Sequence, residues 1–244
     1  MVWTDGEMLQ MRDQIKDIEY FNGFLQEEQA RITRFSDKLA NGEVKPERQL
    51  PVKTKVHDLK LGLLIARYSR GVELSALEGE YVELLNGWEE VWEPDHYNKN
   101  LKMISLGVLF GGDPVIAKAM NAMLKETKVD DWLLSFLLCA WMGSEMENKD
   151  GDLLFPADFS LLQKAALTDN RRESLQEYLS CWYREDCGCY EAHKSSQKTY
   201  YGYWSFEAGA VAKILNIDDA GMEQTLYYPY DLVHYKRIKY GSLL

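Results

Sequence analysis

The chain has 244 residues, of which 46% are hydrophobic and 27% charged. That is enough apolar material for a core, so disorder is excluded as the main description. Lys and Arg total 28 against 39 Asp and Glu, a formal charge of −11. This argues against direct nucleic-acid binding, because phosphates demand a basic footprint, and it suits a basic partner. Met1 to Glu7 has acids where a signal peptide has a basic region, and no apolar stretch follows. The longest apolar run, Trp132 to Met142, is 11 residues, against the roughly 20 a spanning helix needs. The expectation is a cytoplasmic protein with no membrane contact. Four cysteines are too few for a secreted disulfide scaffold.

Helical periodicity dominates the chain. A first helix is expected from about Asp5 to Ala40, with Met8, Met11, Ile15, Ile18, Leu25, Ile32 and Leu39 as one apolar stripe. Asn41-Gly42 ends it, and a polar connector with two prolines runs to Pro51. A second helix follows from about Val52 to Arg70, with Val56, Leu59, Leu63 and Ala66 inward and Gly71 closing it. A third spans Leu74 to Trp92, with Leu74, Leu77, Tyr81, Leu85, Trp88 and Trp92 on one face, and Pro94 stops it. Residues 97–110 make a fourth, ended by Gly111-Gly112. Asp113-Pro114 reads as an N-cap and first-turn proline for a fifth, running to about Thr127.

Asp130 starts a sixth helix that is apolar nearly all round, hence central, with Cys139 in the core. An acidic loop runs from Gly143 to Pro156. Helices follow at 157–167 and 171–184, then an irregular stretch from Glu185 to Thr199. A ninth helix spans Gly202 to Leu215, with Trp204, Ala208, Val211 and Leu215 inward. Tyr228-Pro229-Tyr230-Asp231 makes an aromatic turn that packs back on it, with Asp231 capping Leu232-Val233-His234. Strand alternation is absent. The class is all-α, a bundle of about nine helices in two packed halves, 1–128 and 129–244.

Catalytic and metal-binding patterns are weak. Cys181, Cys187, Cys189 and His193 carry the donor types zinc prefers, but C-x5-C-x-C-x3-H is not a usual zinc spacing. A Cys187 or Cys189 nucleophile with His193 as base would still need an orienting group and an oxyanion site. The chain has no phosphate-binding glycine loop, no H-E-x-x-H and no G-x-S-x-G. No cofactor is expected. Reduced thiols beside a helix end, and scattered histidines at His57, His96 and His234, are the plain alternative.

The acids are more informative. Glu73 to Asp95 holds eight acids (Glu73, Glu78, Glu80, Glu83, Glu89, Glu90, Glu93 and Asp95) and no Lys or Arg. Asp130 to Asp158 holds seven, among them Asp150, Asp152 and Asp158, and only Lys149. A solvated face explains such runs; so does a negative surface that speeds encounter with a basic partner. Glu207 lies beside the inward stripe of the ninth helix and needs a partner, a tyrosine hydroxyl or a basic side chain.

The string from Tyr200 to Asp219 (Tyr200-Tyr201-Gly202-Tyr203-Trp204-Ser205-Phe206-Glu207-Ala208-Gly209-Ala210, then an I-D-D step) is followed by Tyr227-Tyr228-Pro229-Tyr230-Asp231-Leu232-Val233-His234. This pattern resembles the C-terminal domain of the PoNi immunity family, whose members are cognate inhibitors of PoNe-type DNase effectors in bacterial competition. Residues 5–127 resemble its N-terminal domain, without a comparably sharp motif. The resemblance implies an all-α fold, no enzymatic activity and one dedicated DNase partner in a 1:1 complex. It implies that Tyr203, Trp204, Phe206, Glu207, Tyr228, Pro229, Tyr230, Asp231 and His234 are fold determinants. On charge, the partner-binding candidates are Glu80, Glu83, Glu89, Glu90, Glu93, Asp95, Asp150, Asp152 and Asp158. An all-α scaffold or adaptor, or a hydrolase using the Cys/His cluster, are the alternatives.

Overall fold

A computed structural model describes residues 11–146, 148, 151–183 and 190–236. These form ten α-helices and two short 3-10 turns, with no strand among the described residues. The helices are α1 (Ile18–Ala40), α2 (Pro46–Arg70), α3 (Leu74–Asn86), α4 (Tyr97–Phe110), α5 (Pro114–Glu126), α6 (Trp132–Met142), α7 (Pro156–Leu167), α8 (Arg171–Trp182), α9 (Phe206–Leu215) and α10 (Tyr230–His234). They sort into two compact units. Unit 1 is Met1–Trp92 with Glu191–Gly202; unit 2 is Glu93–Tyr190 with Tyr203–Leu244. α4 packs on α6 and α9 and so falls in unit 2.

In unit 1, α2 packs on both α1 and α3. The first helix is shorter than its periodicity suggests. Asp13 Oδ1 accepts from the amides of Ile15 and Lys16, and Asp17 caps the true start by accepting from Tyr20. Aspartate side chains that bond nearby amides compete with helix in this way. Arg12 donates to the carbonyls of Tyr68 (3.1 Å) and Val72 (2.8 Å), tying the chain to the end of α2. The buried face of α1 is Phe21, Phe24, Glu28 and Ile32. Ile15 and Ile18 are exposed, and Met8 lies outside the described residues.

The second helix begins six residues earlier than expected. Pro46 takes the first turn, where a missing N–H costs nothing, and Pro51 lies within the helix. Its buried residues include Leu59 and Ala66, whereas Val56 and Leu63 are half-buried. The third helix stops at Gly87; Glu89–Val91 is a separate 3-10 turn that seats Trp88 in the core.

An excursion completes unit 1. Tyr200 is buried, its hydroxyl donates to Asp13 Oδ2, and its amide bonds the Tyr20 hydroxyl at 3.1 Å. Tyr20 in turn donates to the Tyr200 carbonyl at 3.0 Å, and Ser69 Oγ donates to the Tyr201 carbonyl at 2.8 Å. These residues are therefore not the start of a helix; the ninth helix begins at Phe206, after Gly202 takes a φ of +117°.

In unit 2, α6 is capped by Asp131, not Asp130: its Oδ1 accepts from Leu134 at 2.8 Å. The helix buries Trp132, Leu133, Leu134, Leu137, Leu138 and Trp141, while Cys139 is only half-buried. Trp141 lies across α4, where a Cβ on Gly107 would come within 2.2 Å of its ring, and its indole donates to the Gly112 carbonyl at 2.9 Å. Asp113 caps α5 through Val115, as the sequence predicts.

Candidate partner-binding surface

The two family-like segments meet in α9 and α10. The amide of Ser205 donates to the Tyr227 carbonyl at 2.8 Å. Pro229 lies so close on Gly209 that a Cβ there would stand 2.6 Å from its ring. Glu207 is 4% exposed. Its Oε1 accepts from the Tyr178 hydroxyl (2.8 Å), the Trp182 indole (2.6 Å) and Ser205 Oγ (2.6 Å). The expected tyrosine partner is present; the indole and the serine were not foreseen, and α8 supplies two of the three donors. Phe206 and Tyr203 are buried and Trp204 is half-buried. Tyr203 meets Tyr183 edge-on at 4.9 Å, and Tyr183 stacks on Tyr227.

Asp219, from the I-D-D step, is the second centre. The Tyr228 hydroxyl donates to its Oδ2 at 2.7 Å, and His234 Nε2 lies 3.0 and 3.1 Å from its two oxygens. Burial and the neighbouring carboxylate push the Tyr228 hydroxyl well above the usual phenol range. Tyr230 lies against the His234 ring at 4.4 Å. Asp231 accepts from Leu232 at 2.9 Å but sits inside the first turn of α10; Pro229 holds the cap position. The sequence reading missed Asp219 as the residue on which the second motif converges.

The acidic stretch 73–95 divides between the units. Glu80, Glu83, Glu89 and Glu90 belong to unit 1, Glu93 and Asp95 to unit 2. Several of these acids are already partnered. Glu80 lies 2.9 Å from Arg67 Nε, although the N–H is not aligned for a hydrogen bond. Burial raises the Glu80 pKa despite Arg67, and Glu83 adds to the rise. Glu90 pairs with Lys53, and Glu93 with His96 at 3.2 Å. Glu83, Glu89 and Asp95 are exposed.

In the second stretch, Asp152 is exposed and Asp158 is half-buried in the first turn of α7. Asp150 lies outside the described residues. Between those two acids the chain is held firmly. The Trp132 amide donates to the Asp152 carbonyl, and the Leu154 amide to Asp131 Oδ2, both at 2.9 Å. The Tyr97 hydroxyl also donates to Asp131, at 3.1 Å, and burial beside that carboxylate raises its pKa far above the phenol range.

The Cys/His cluster does not assemble among the described residues. Cys187 and Cys189 lie outside them. Cys181 is an exposed free thiol in unit 2, whereas His193 belongs to unit 1 and faces Tyr200. No group of three or more potential metal ligands occurs among the described residues. No described helix is long and apolar enough to cross a membrane.

Family models match both parts of the chain: the C-terminal domain of PoNe immunity proteins (PoNi) over residues 129–232, and the N-terminal domain over residues 12–121. The chain belongs to the PoNi family of PoNe immunity proteins. The two PoNi models together span nearly all of it, including the less distinctive N-terminal part. The crystal structure of protein PA2201 from Pseudomonas aeruginosa is similar in fold, with a TM-score of 0.68 over 94% of this chain and 91% of that one, at 20% sequence identity. No curated protein is similar enough in sequence to match the chain. The PoNi C-terminal model covers Glu207 with its three donors and Asp219 with Tyr228, and ends just before His234.

Proposed function

We propose that this chain is a cytoplasmic immunity protein that binds its cognate PoNe-type DNase one to one and neutralises it by occlusion, catalysing nothing itself. The observation that carries this reading is the match of both PoNi models, over residues 12–121 and 129–232. Their junction also supports a modular boundary near Lys128, between 1–128 and 129–244. Charge supports the mechanism. A DNase must present a basic groove to hold the phosphate backbone. A protein of formal charge −11 is drawn to that groove and excludes DNA from it. Exposed Glu83, Glu89, Asp95 and Asp152 provide steering charge. Glu80 and Glu90 are partly neutralised by Arg67 and Lys53, and Glu93 lies beside the His96 ring.

The test is co-expression. Cells producing the DNase are expected to survive only with this chain, and a tagged chain is expected to recover the nuclease at one copy per copy. Survival without co-purification would remove occlusion as the mechanism. Substituting Cys187→Ser and His193→Ala is expected to leave protection intact; loss of protection with both variants folded would favour a catalytic reading.

A further inference from the structure

We propose that the turn Leu153–Pro156, with Leu154 and Phe155 at its crest and Asp130, Asp152 and Asp158 around it, is the anchor that seats this chain on the basic DNA-binding surface of its nuclease. The inference rests on the function proposed above and names the contact.

Leu154 is 50% exposed and Phe155 43%. Among the described residues they are the one pair of exposed large hydrophobic side chains adjacent in sequence; Ile15 and Ile18 lie three residues apart, and Leu50, Val82, Val115, Leu167, Tyr190 and Leu226 stand singly along the chain. Exposed Pro156 and Ala157 extend the apolar crest. Single exposed apolar residues are ordinary, but a contiguous patch calls for a partner.

The crest is also pre-formed. Its backbone is bonded to Trp132 and to the Asp131 carboxylate on one side. On the other, the Phe155 carbonyl accepts from Asp158 and Phe159 at 3.2 and 3.1 Å. The Phe155 ring meets Tyr97 edge-on at 4.7 Å, and Gln163 Nε2 holds the Gly151 carbonyl at 3.0 Å. Little conformational freedom is left to lose on binding, which is what a tight contact requires.

Charge selects the occupant. No Lys or Arg occurs from Gly151 to Gln163, while Asp152 and Asp158 flank the crest; Asp130 adjoins the Asp131 that holds it and shares a pocket with Lys125. An apolar centre inside an acidic rim fits an apolar seat inside a basic rim. A second copy of this chain would set like charges against one another, and an anionic lipid surface would repel the rim. The first acidic stretch lacks this combination, since Glu80 and Glu90 already have cations.

The experiment measures binding kinetics of full-length variants to the cognate PoNe-type nuclease carrying an inactivating substitution. Leu154→Ala is expected to weaken binding about ten- to a hundredfold and Leu154→Arg more than a hundredfold, mainly through faster dissociation. Asp152→Asn is expected to slow association several-fold and to flatten its salt dependence. Leu50→Arg, on an exposed leucine of α2, is expected to bind within twofold of wild type. Thermal melts accompany each variant. Asp152 has an exposed side chain, so its variant remains informative if a Leu154 variant does not fold. Wild-type binding together with unchanged kinetics for folded Leu154→Arg and Asp152→Asn would overturn this inference and leave the proposed function standing. Failure of the wild-type chain to bind would overturn the function itself.

Discussion

Replacing Glu207 by alanine tests whether the α8–α9 contact is held by a buried charge rather than by packing alone. The carboxylate is 4% exposed and accepts three bonds on one oxygen. The variant removes the acceptor that the Tyr178 hydroxyl and the Trp182 indole bond in the core; the Ser205 hydroxyl can rotate away. Each orphaned buried donor costs about 1–3 kcal/mol, so the expected loss is about 3–5 kcal/mol. For a chain of this size that corresponds to a fall in Tm of roughly 10 °C. Glu207→Gln keeps an acceptor oxygen and is expected to lose only about 1–2 kcal/mol. Denaturant melts of the three proteins supply the comparison. If alanine costs less than about 1 kcal/mol, the donors have other partners and the reasoning fails.

Gly209→Ala sets a Cβ 2.6 Å from the Pro229 ring and is expected to lower stability by about 1–3 kcal/mol. Gly79→Ala, with open space around it in α3, is expected to raise stability by about 0.5–1 kcal/mol; denaturant midpoints separate the two. Tyr200→Phe removes the bond to buried Asp13 and is expected to cost about 1–3 kcal/mol by the same measurement. Lys213 Nζ donates to the carbonyls of Leu109, Leu232 and Tyr235, and burial brings its pKa down from 10.5 to about 8. Below pH 8 folded and unfolded chains both hold this proton. Between pH 8 and 9.5, before ordinary tyrosines ionise, the unfolded chain holds more of it, so stability rises with pH. The rise is about 1 kcal/mol once the half-exposed amine is discounted for screening. Melts across that window are expected to show the rise in wild type and not in Lys213→Met.

Helix ends were legible wherever the stop or start signal is local. Asp113-Pro114 opens α5 and left-handed Gly71, Gly111 and Gly143 close α2, α4 and α6, because capping uses only neighbouring atoms. The start of α1 was misread because apolar spacing continues through residues 11–17 while Asp13 and Asp17 turn the backbone by side-chain bonds. The ninth helix starts at Phe206 and not at Gly202, and nothing nearby in sequence announces that Tyr200 and Tyr201 bond Asp13, Tyr20 and Ser69, more than 130 residues away. The need of Glu207 for a partner followed from its place beside an apolar stripe; that α8 supplies Tyr178 and Trp182 is a matter of packing. Acid runs read as uniform charge, but Lys53 and Arg67 come to meet them from α2. Periodicity registers which face is buried and is silent on which helix lies opposite.

The most direct test is a titration of nuclease activity. Purified chain is added stepwise to a fixed amount of its cognate PoNe-type nuclease, and cleavage of duplex DNA is followed. The account predicts a linear fall to no cleavage at one equivalent, unchanged by the order in which chain and nuclease meet before DNA is added. Undiminished cleavage in the presence of a several-fold excess of folded chain would contradict it.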